Sequence, residues 1–226
     1  MFQRIIFSAS IAGLLSGILL TFLQHVWIIP IIRNAEKLEI KSAHNTKNTH
    51  HNKHVNGRMF SNPNYKSLIA NTITSIAFAL LMISSGGFVK NFDAKRGLFW
   101  GIAGFIIFSL MPSIVITPKL PGDISLPLSE HNMLWILTTT CTAIGLLFII
   151  FFDKNSAKFF GLVVILFPHL VSYSFFEIKL TGELEILQEK FHLATLIISL
   201  IFWSFLGITS GYFFKKLSPN LKKEGI

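Results

Sequence analysis

Three polar side chains, Thr21, Gln24 and His25, interrupt an apolar stretch near the N-terminus of the chain. Because they stand three and four residues apart, a helix would place them on one face. Polar side chains at membrane depth are costly, and they usually face the interior of a helix bundle or a water-filled path. Glu36 and Glu39 follow along the chain, again three residues apart. A cation that approached from the side of Glu36 and Glu39 would meet the carboxylates first, then the imidazole of His25, and then the amide and hydroxyl of Gln24 and Thr21.

A polar segment that follows is rich in histidine, with His44, His50, His51 and His54. Neutral imidazole binds Zn, Co, Ni and Cu(II), and several weak ligands on one loop would raise the local occupancy of such an ion. The pattern is compositional and fixes no geometry, so a low-complexity polar linker is an open alternative. A thiolate-based trap is disfavoured because the chain has a single Cys.

His169 follows Pro168 in the weakest of the apolar stretches. Proline frees a backbone carbonyl one turn earlier in a helix, so a polar pocket could form there. His192 lies near the start of the last stretch, three residues after Glu189. The structural alternative treats all these polar residues, including those of the first stretch, as hydrogen-bonding partners between packed helices.

The elements that must position these residues are apolar stretches of the length that crosses a bilayer, which is about 20 residues. They cover residues 5–29, 68–89, 97–116, 133–152, 159–176 and 193–214. We predict an all-α fold, a polytopic integral membrane bundle of about six helices, or five if 159–176 does not span. One transmembrane domain would cover 1–226, with a polar His-rich loop at about 40–66.

The first stretch resembles a signal peptide, but we predict a retained anchor that Pro30 stops or kinks. Its apolar run is long for a signal peptide, and bulky residues occupy the place of a small-residue cleavage site. Glycines recur at a spacing of four in three of the stretches, which predicts close helix packing and no chemistry. The pairs are Gly13 with Gly17, Gly97 with Gly101, and Gly207 with Gly211.

Composition supports the membrane class, since 51% of the 226 residues are hydrophobic and only 14% are charged. A soluble domain has about a quarter charged residues, so disorder is excluded and a soluble globule is disfavoured. The formal charge of +9 points to the positive-inside rule rather than to nucleic acid.

Basic residues mark the N-terminus, the second and fourth loops and the C-terminal tail. They are Arg4, Lys90, Lys95, Arg96, Lys154, Lys158, Lys215, Lys216, Lys222 and Lys223. The long first loop is also basic, but short segments are the better guide to orientation. We predict a cytoplasmic-membrane protein with both termini cytoplasmic and loops one, three and five outside.

Nucleotide and hydrolase fingerprints are absent from the sequence, which has no GxxxxGK[ST], GxSxG or HExxH. We therefore predict that the chain is not an enzyme, holds no cofactor and has no ATPase of its own. An integral-membrane enzyme with a His/Glu metal centre is the least favoured alternative.

Two segments resemble the CbtA family of predicted cobalt transporter subunits. The first carries a basic fourth residue, a glycine helix, a T-x-x-Q pair, a proline and an A-E-x-x-E ending: Arg4, Ala12, Gly13, Gly17, Thr21, Gln24, Pro30, Ala35, Glu36 and Glu39. The second is a G-x-x-W-G-x-A-G-F…P…P-x-L-P-G block: Gly97, Trp100, Gly101, Ala103, Gly104, Phe105, Pro112, Pro118, Leu120, Pro121 and Gly122. Residues 171–175, VSYSF, depart from the family pattern.

The resemblance implies cobalt transport linked to cobalamin synthesis, and a small single-span, His-bearing partner subunit (CbtB-like). We predict a permease subunit for uptake of a divalent transition metal, with Co²⁺ favoured and Ni²⁺ or Zn²⁺ not excluded. The candidate metal ligands are His25, Glu36, Glu39, His44, His50, His51, His54 and His169, and Thr21 and Gln24 would line the path. The alternative is a non-transporting scaffold or accessory subunit. The bilayer is a predicted partner, nucleic acid is not, and a homo-oligomer is left open.

Overall fold

The computed structural model describes residues 2–45, 63–87, 91–120, 128–172 and 183–217. Within these ranges the chain forms helices and no strand, and five of the helices are long and apolar enough to cross a membrane. The predicted all-α, polytopic bundle is thereby confirmed.

Six helices in the described ranges follow the order of the six apolar stretches, and we number them α1 to α6. Helix α1 (residues 2–45) consists of Phe2–Leu23, a π-helical turn at Gln24–Ile28, and Ile29–Asn45. Helix α2 is Pro63–Gly86. Helix α3 (Ala94–Val115) has a second π-helical turn at Ile106–Leu110. The remaining helices are α4 (Leu128–Phe151), α5 (Asn155–Ser172) and α6 (Glu183–Lys216).

Helix α1 continues through Pro30 to Asn45, so the prediction that this proline stops the helix is wrong, and the alternative that it kinks the helix stays a prediction. Proline has no N–H, and its ring clashes with the carbonyl four residues earlier, which here belongs to Val26. That residue lies inside the π-helical turn Gln24–Ile28. The wider turn, with its i→i+5 hydrogen bonds, accommodates the proline where a regular α-helix would break.

Helix α3 repeats this arrangement at Pro112. Its π-helical turn, Ile106–Leu110, also ends two residues before the proline and contains Phe108, the residue whose carbonyl the ring would meet. Helix α5 contains Pro168 without a π-helical turn, so a proline within a helix does not by itself dictate the response of the backbone.

The chain divides into two compact units. Unit 1 consists of Met1–Ile29, Ile40–Ile102 and Leu200–Ile226, and unit 2 of Pro30–Glu39 and Ala103–Ser199. This division does not test whether either part folds alone, and the single transmembrane domain stays a prediction.

Helices α1 and α2 of unit 1 pack closely along the first pair of glycines. A Cβ atom added at Gly13 would lie 2.5 Å from the Cα of Ile76, and one added at Gly17 would lie 2.6 Å from the Cα of Thr72. Both distances are far inside van der Waals contact, so the helices approach this closely only because both positions lack a side chain.

Within unit 1, the first part of α3 and the last part of α6 pack through the other two glycine pairs. A Cβ atom at Gly97 would overlap the carbonyl oxygen of Gly207, and one at Gly207 would overlap the carbonyl oxygen of Gly97. A Cβ atom at Gly101 would overlap the carbonyl of Trp203, and Gly211 is equally close to the backbone that precedes α3. The predicted role of all three glycine pairs in packing is confirmed.

One end of unit 1 is fastened by polar contacts between three segments. Arg4 donates from Nε and Nη2 to the carbonyl oxygen of Phe214, at 2.9 and 2.6 Å, and its guanidinium lies 3.8 Å from the centre of the Phe214 ring. It thereby satisfies a carbonyl in the last turn of α6, which has no partner within the helix. Asp93 caps α3 by accepting from the Arg96 N–H at 3.1 Å, and its other oxygen lies 3.8 Å from Lys215 Nζ.

The Asp93 carboxyl has a pKa below its ordinary value, chiefly because of the hydrogen bond from the Arg96 N–H and also because of the positive charges of Lys215 and Arg96. The start of α1, the start of α3 and the end of α6 thus lie together. These are three of the four basic segments that the sequence placed in the cytoplasm.

In unit 2, α4 and α5 form a helical hairpin joined by residues 152–154. A Cβ atom at Gly161 would lie 2.6 Å from the carbonyl oxygen of Gly145. The Phe148 ring stacks on Phe152 and meets Phe160 edge-on, each at 5.2 Å between ring centres. Small residues and aromatic rings therefore pack α4 tightly against the first half of α5.

Candidate functional site

Thr21 and Gln24, which the sequence placed on one helix face, meet at Asn71 of α2. The Asn71 Nδ2 group donates to Thr21 Oγ1 at 3.1 Å and to Gln24 Oε1 at 2.7 Å. The Thr21 hydroxyl in turn donates to the Gly17 carbonyl at 2.8 Å. We call Asn71, Thr21 and Gln24 the Asn71 network; it is a cluster of polar side chains between two helices that can each cross a membrane.

The position of the Asn71 network follows from the glycines that precede Thr21 on α1. Gly17 contacts Thr72, the neighbour of Asn71, and Thr21 lies one helical turn beyond Gly17. Because the two backbones approach so closely, the short asparagine side chain reaches across to the other helix. Ser75, which is fully buried, donates to the Asn71 carbonyl at 2.6 Å and extends the polar contact by one turn.

Asn71 was not singled out from the sequence. It is an amide within the apolar run of α2, and this position could have indicated it, since polar side chains at membrane depth usually face a partner or an ion pathway. Its two partners lie on another helix, and the contact depends on how α1 and α2 pack against each other.

His25 lies outside the Asn71 network. It is the second residue of the π-helical turn Gln24–Ile28 and is exposed, as are Val26 and Trp27, whose exposed fractions are 46% and 43%. The wider turn redirects side chains within it relative to a regular α-helix. The shared path of His25 with Thr21 and Gln24 stays a prediction.

The acidic and His-rich part of the predicted site follows on α1. Glu36 is exposed. Glu39 and His44 belong to the same helix, but their side chains lie outside the described residues, as do the whole residues His50, His51 and His54. The helix reaches Asn45, so the backbone at 40–45, which the sequence assigned to the loop, is helical. The predicted ion-collecting loop stays a prediction.

His169 is half-buried on α5, beside Pro168, which is fully buried. It belongs to unit 2, whereas Thr21, Gln24 and His25 belong to unit 1. Across the described part of the chain, no three His, Cys, Asp or Glu side chains gather into a group that could hold a metal ion. The predicted ligand set is therefore untested, because several of its members lie outside those ranges.

Two further polar groups of unit 2 lie one turn apart on α6. Gln188 accepts from the Leu120 N–H at 3.0 Å and donates to the Pro118 carbonyl, so it fixes the segment that follows α3. His192 has a buried Nε2 atom with no hydrogen-bond partner in the described residues. The sequence pointed to His192 but left its role open. It gave no sign of Gln188, because no local pattern indicates that an amide will form hydrogen bonds with a backbone segment about 70 residues away.

Comparison with protein families decides the class of the molecule. The family model described as probable cobalt transporter subunit (CbtA) matches residues 2–215. The chain belongs to the CbtA family. The match includes both halves of the Asn71 network and the two helices with π-helical turns, and the resemblance drawn from the two sequence blocks is confirmed. No curated protein and no solved structure gives a significant match.

Membership of the CbtA family and the five apolar helices together identify the chain as an integral membrane protein of a family of cobalt transporter subunits.

Proposed function

We propose that the chain is the permease subunit of a transporter that takes up a divalent transition metal across the cytoplasmic membrane, with cobalt as its cargo. The observation that carries the proposal is the Asn71 network, a set of amide and hydroxyl groups between α1 and α2, in a family of cobalt transporter subunits. Polar groups at membrane depth mark ion pathways more often than they mark lipid-facing surfaces.

The proposed path begins outside with the loop histidines, Glu36 and Glu39, and continues to His25 and the Asn71 network. Imidazole, carboxylate and amide groups supply nitrogen and oxygen ligands that suit a borderline divalent metal. His169 is a further candidate ligand on α5. Orientation with both termini in the cytoplasm is supported by the basic end of unit 1, where Arg4, Lys95 and Lys215 lie on three adjoining segments.

Entry driven by the membrane potential needs no ATPase on this chain. One elementary charge gains about 2.3 kcal/mol per 100 mV, so a divalent ion gains about twice that. The small single-span, His-bearing partner subunit expected for the family would assist delivery of the ion.

The competing function is a non-transporting scaffold or accessory subunit. It is favoured by one feature of the Asn71 network: Thr21 and Gln24 each accept a hydrogen bond from Asn71. Such bonds hold membrane helices together without conducting anything. The two functions differ in whether the metal content of a cell depends on the protein.

The experiment is accumulation of Co²⁺, Ni²⁺ and Zn²⁺ by cells that express wild type, His25→Ala, or a variant with alanine at His44, His50, His51 and His54. His131→Ala on α4 is the matched control, because it removes an imidazole outside the proposed path. We expect Co²⁺ accumulation by wild type and the control, and a loss of about tenfold in the other two. Accumulation by wild type equal to that of cells without the protein would rule out transport.

A further inference from the structure

The Asn71 network leaves one side-chain oxygen without a donor. An amide nitrogen has two hydrogens to donate, and Asn71 Nδ2 uses them on Thr21 Oγ1 and Gln24 Oε1. Both of those oxygens therefore already face a polar hydrogen. No donor to Asn71 Oδ1 is found among the described residues, so this atom is the acceptor that the network leaves free.

The Asn71 side chain is not enclosed by its neighbours. Asn71 is half-buried, whereas Ser75, one turn further along α2, is fully buried. The residue that carries the free oxygen therefore keeps part of its surface open to contact something other than the residues around it.

The depth of this oxygen makes contact with hydrocarbon unfavourable. The membrane-crossing part of α2 runs over Tyr65–Gly86, and Asn71 lies six residues into it, about 9 Å along the axis at 1.5 Å per residue. A carbonyl oxygen at that depth has to meet water, a cation or a polar group. The Asn71 network fixes the orientation of this oxygen through the amide nitrogen and gives the oxygen itself no hydrogen bond.

We propose that Asn71 Oδ1 is the oxygen that a partly hydrated divalent cation contacts at this level, and that Thr21 and Gln24 are positioning residues that hold it there. This inference rests on the proposed transport function and reassigns the roles within it. Thr21 Oγ1 and Gln24 Oε1 each already receive an N–H, so each has one lone pair fewer to offer a cation than Asn71 Oδ1 has. Double donation by Nδ2 also polarises the amide and makes its own oxygen a better ligand.

Three variants separate ligation from helix packing. Asn71→Leu removes the oxygen and the donors; Asn71→Asp keeps the shape and an oxygen; Thr21→Val removes one positioning contact. Asn132→Leu is the matched control, because Asn132 is an exposed amide on α4. For each, initial Co²⁺ uptake into proteoliposomes gives KM and the maximal rate, thermal unfolding reports stability, and Co²⁺ titration of detergent-solubilised protein gives affinity.

We expect the KM and the dissociation constant for Co²⁺ to rise about tenfold or more in Asn71→Leu, by the factor typical of lost metal contacts. Asn71→Asp should retain binding, and its preference for Mn²⁺ over Co²⁺ should increase because a carboxylate is a harder ligand. Thr21→Val should change the affinity by about threefold, less than loss of an outer-shell partner typically does, and Asn132→Leu should change nothing.

An unfolding midpoint that falls in Asn71→Leu, while its Co²⁺ affinity and KM equal those of wild type, would overturn the inference and leave transport intact. Wild-type proteoliposomes without uptake would defeat the proposed function instead. In that case the titration still decides the role of Asn71: equal affinities of wild type and Asn71→Leu would refute it.

Discussion

Two glycine-lined helix contacts in unit 1 follow different chemistry. Between α3 and α6, glycines on both helices bring backbone against backbone, as at Gly97 and Gly207. Between α1 and α2, only α1 contributes glycines, and one turn later the contact becomes the Asn71 network. Lipid provides no hydrophobic force between helices, so packing and hydrogen bonds must hold each pair.

The difference indicates which contact serves structure and which can serve function. A contact made by backbone alone has no side chain that could bind an ion. The α1–α2 contact uses the same close approach to bring an amide of one helix within reach of the other, and it leaves an oxygen free. We infer that the α3–α6 contact stabilises the fold, and that the α1–α2 contact lines the proposed ion path.

The largest effect is expected from Gly97→Ala. Its methyl group would overlap the Gly207 carbonyl, so we expect a loss of unfolding free energy of about 2–3 kcal/mol, the upper range for overpacking. Thermal or denaturant unfolding of the solubilised protein measures it. Gly87→Ala is the control, because a Cβ at the exposed Gly87 comes no closer than 3.3 Å to another atom. Equal stability of Gly97→Ala and wild type would show that α3 and α6 do not meet as described.

Removing the cap at the end of α6 should have the next largest effect. Arg4→Ala abolishes two hydrogen bonds to the Phe214 carbonyl and the contact with its ring, which together are worth about 1–3 kcal/mol. Arg4→Lys should recover part of this loss, because an ammonium keeps the charge but not the forked geometry. If Arg4→Lys and Arg4→Ala unfolded at the same temperature, the positive charge at this position would not contribute to the stability of this end of unit 1.

The Asn71 network should matter less to stability than to transport. Interhelical hydrogen bonds in membrane proteins are worth about 0.6 kcal/mol on average, so Asn71→Leu should destabilise the protein less than Gly97→Ala does. The same unfolding assay, run on both variants, measures this. If Asn71→Leu proved the more damaging, the α1–α2 contact would be the structural one, contrary to our assignment.

Low pH should produce the smallest effect. The pKa of the Asp93 carboxyl is lowered in the folded protein, so its charge stabilises the fold fully above the unfolded value of about 3.9 and progressively less as the pH falls through the folded value. Asn also caps helices well, so Asp93→Asn tests the charge alone. Its unfolding midpoint should lie slightly below that of wild type at pH 7, and the gap should narrow as the pH falls through the folded pKa of Asp93; a gap that did not narrow in acid would argue against this origin.

Helices and glycine contacts were predictable from the sequence because each depends on a local pattern: an apolar run of bilayer length, or small residues four apart. The continuation of α1 through Pro30 was not predictable from the sequence. A π-helical turn accommodates the proline at Pro30 and Pro112 but is absent at Pro168, so the presence of a proline alone does not indicate how the helix responds. The partnership of Asn71 with Thr21 and Gln24 was also hidden, because it joins positions about 50 residues apart whose register is set by helix packing.

Transport as proposed requires that this chain itself provides a path for Co²⁺. The direct test is uptake of Co²⁺ by ATP-free proteoliposomes containing the wild-type protein, at zero potential and at an inside-negative potential of about 100 mV, where a divalent ion gains roughly 4.6 kcal/mol. We predict uptake above that of protein-free vesicles at both potentials, and a clear increase at the negative one. Uptake equal to that of protein-free vesicles at both potentials would contradict the account.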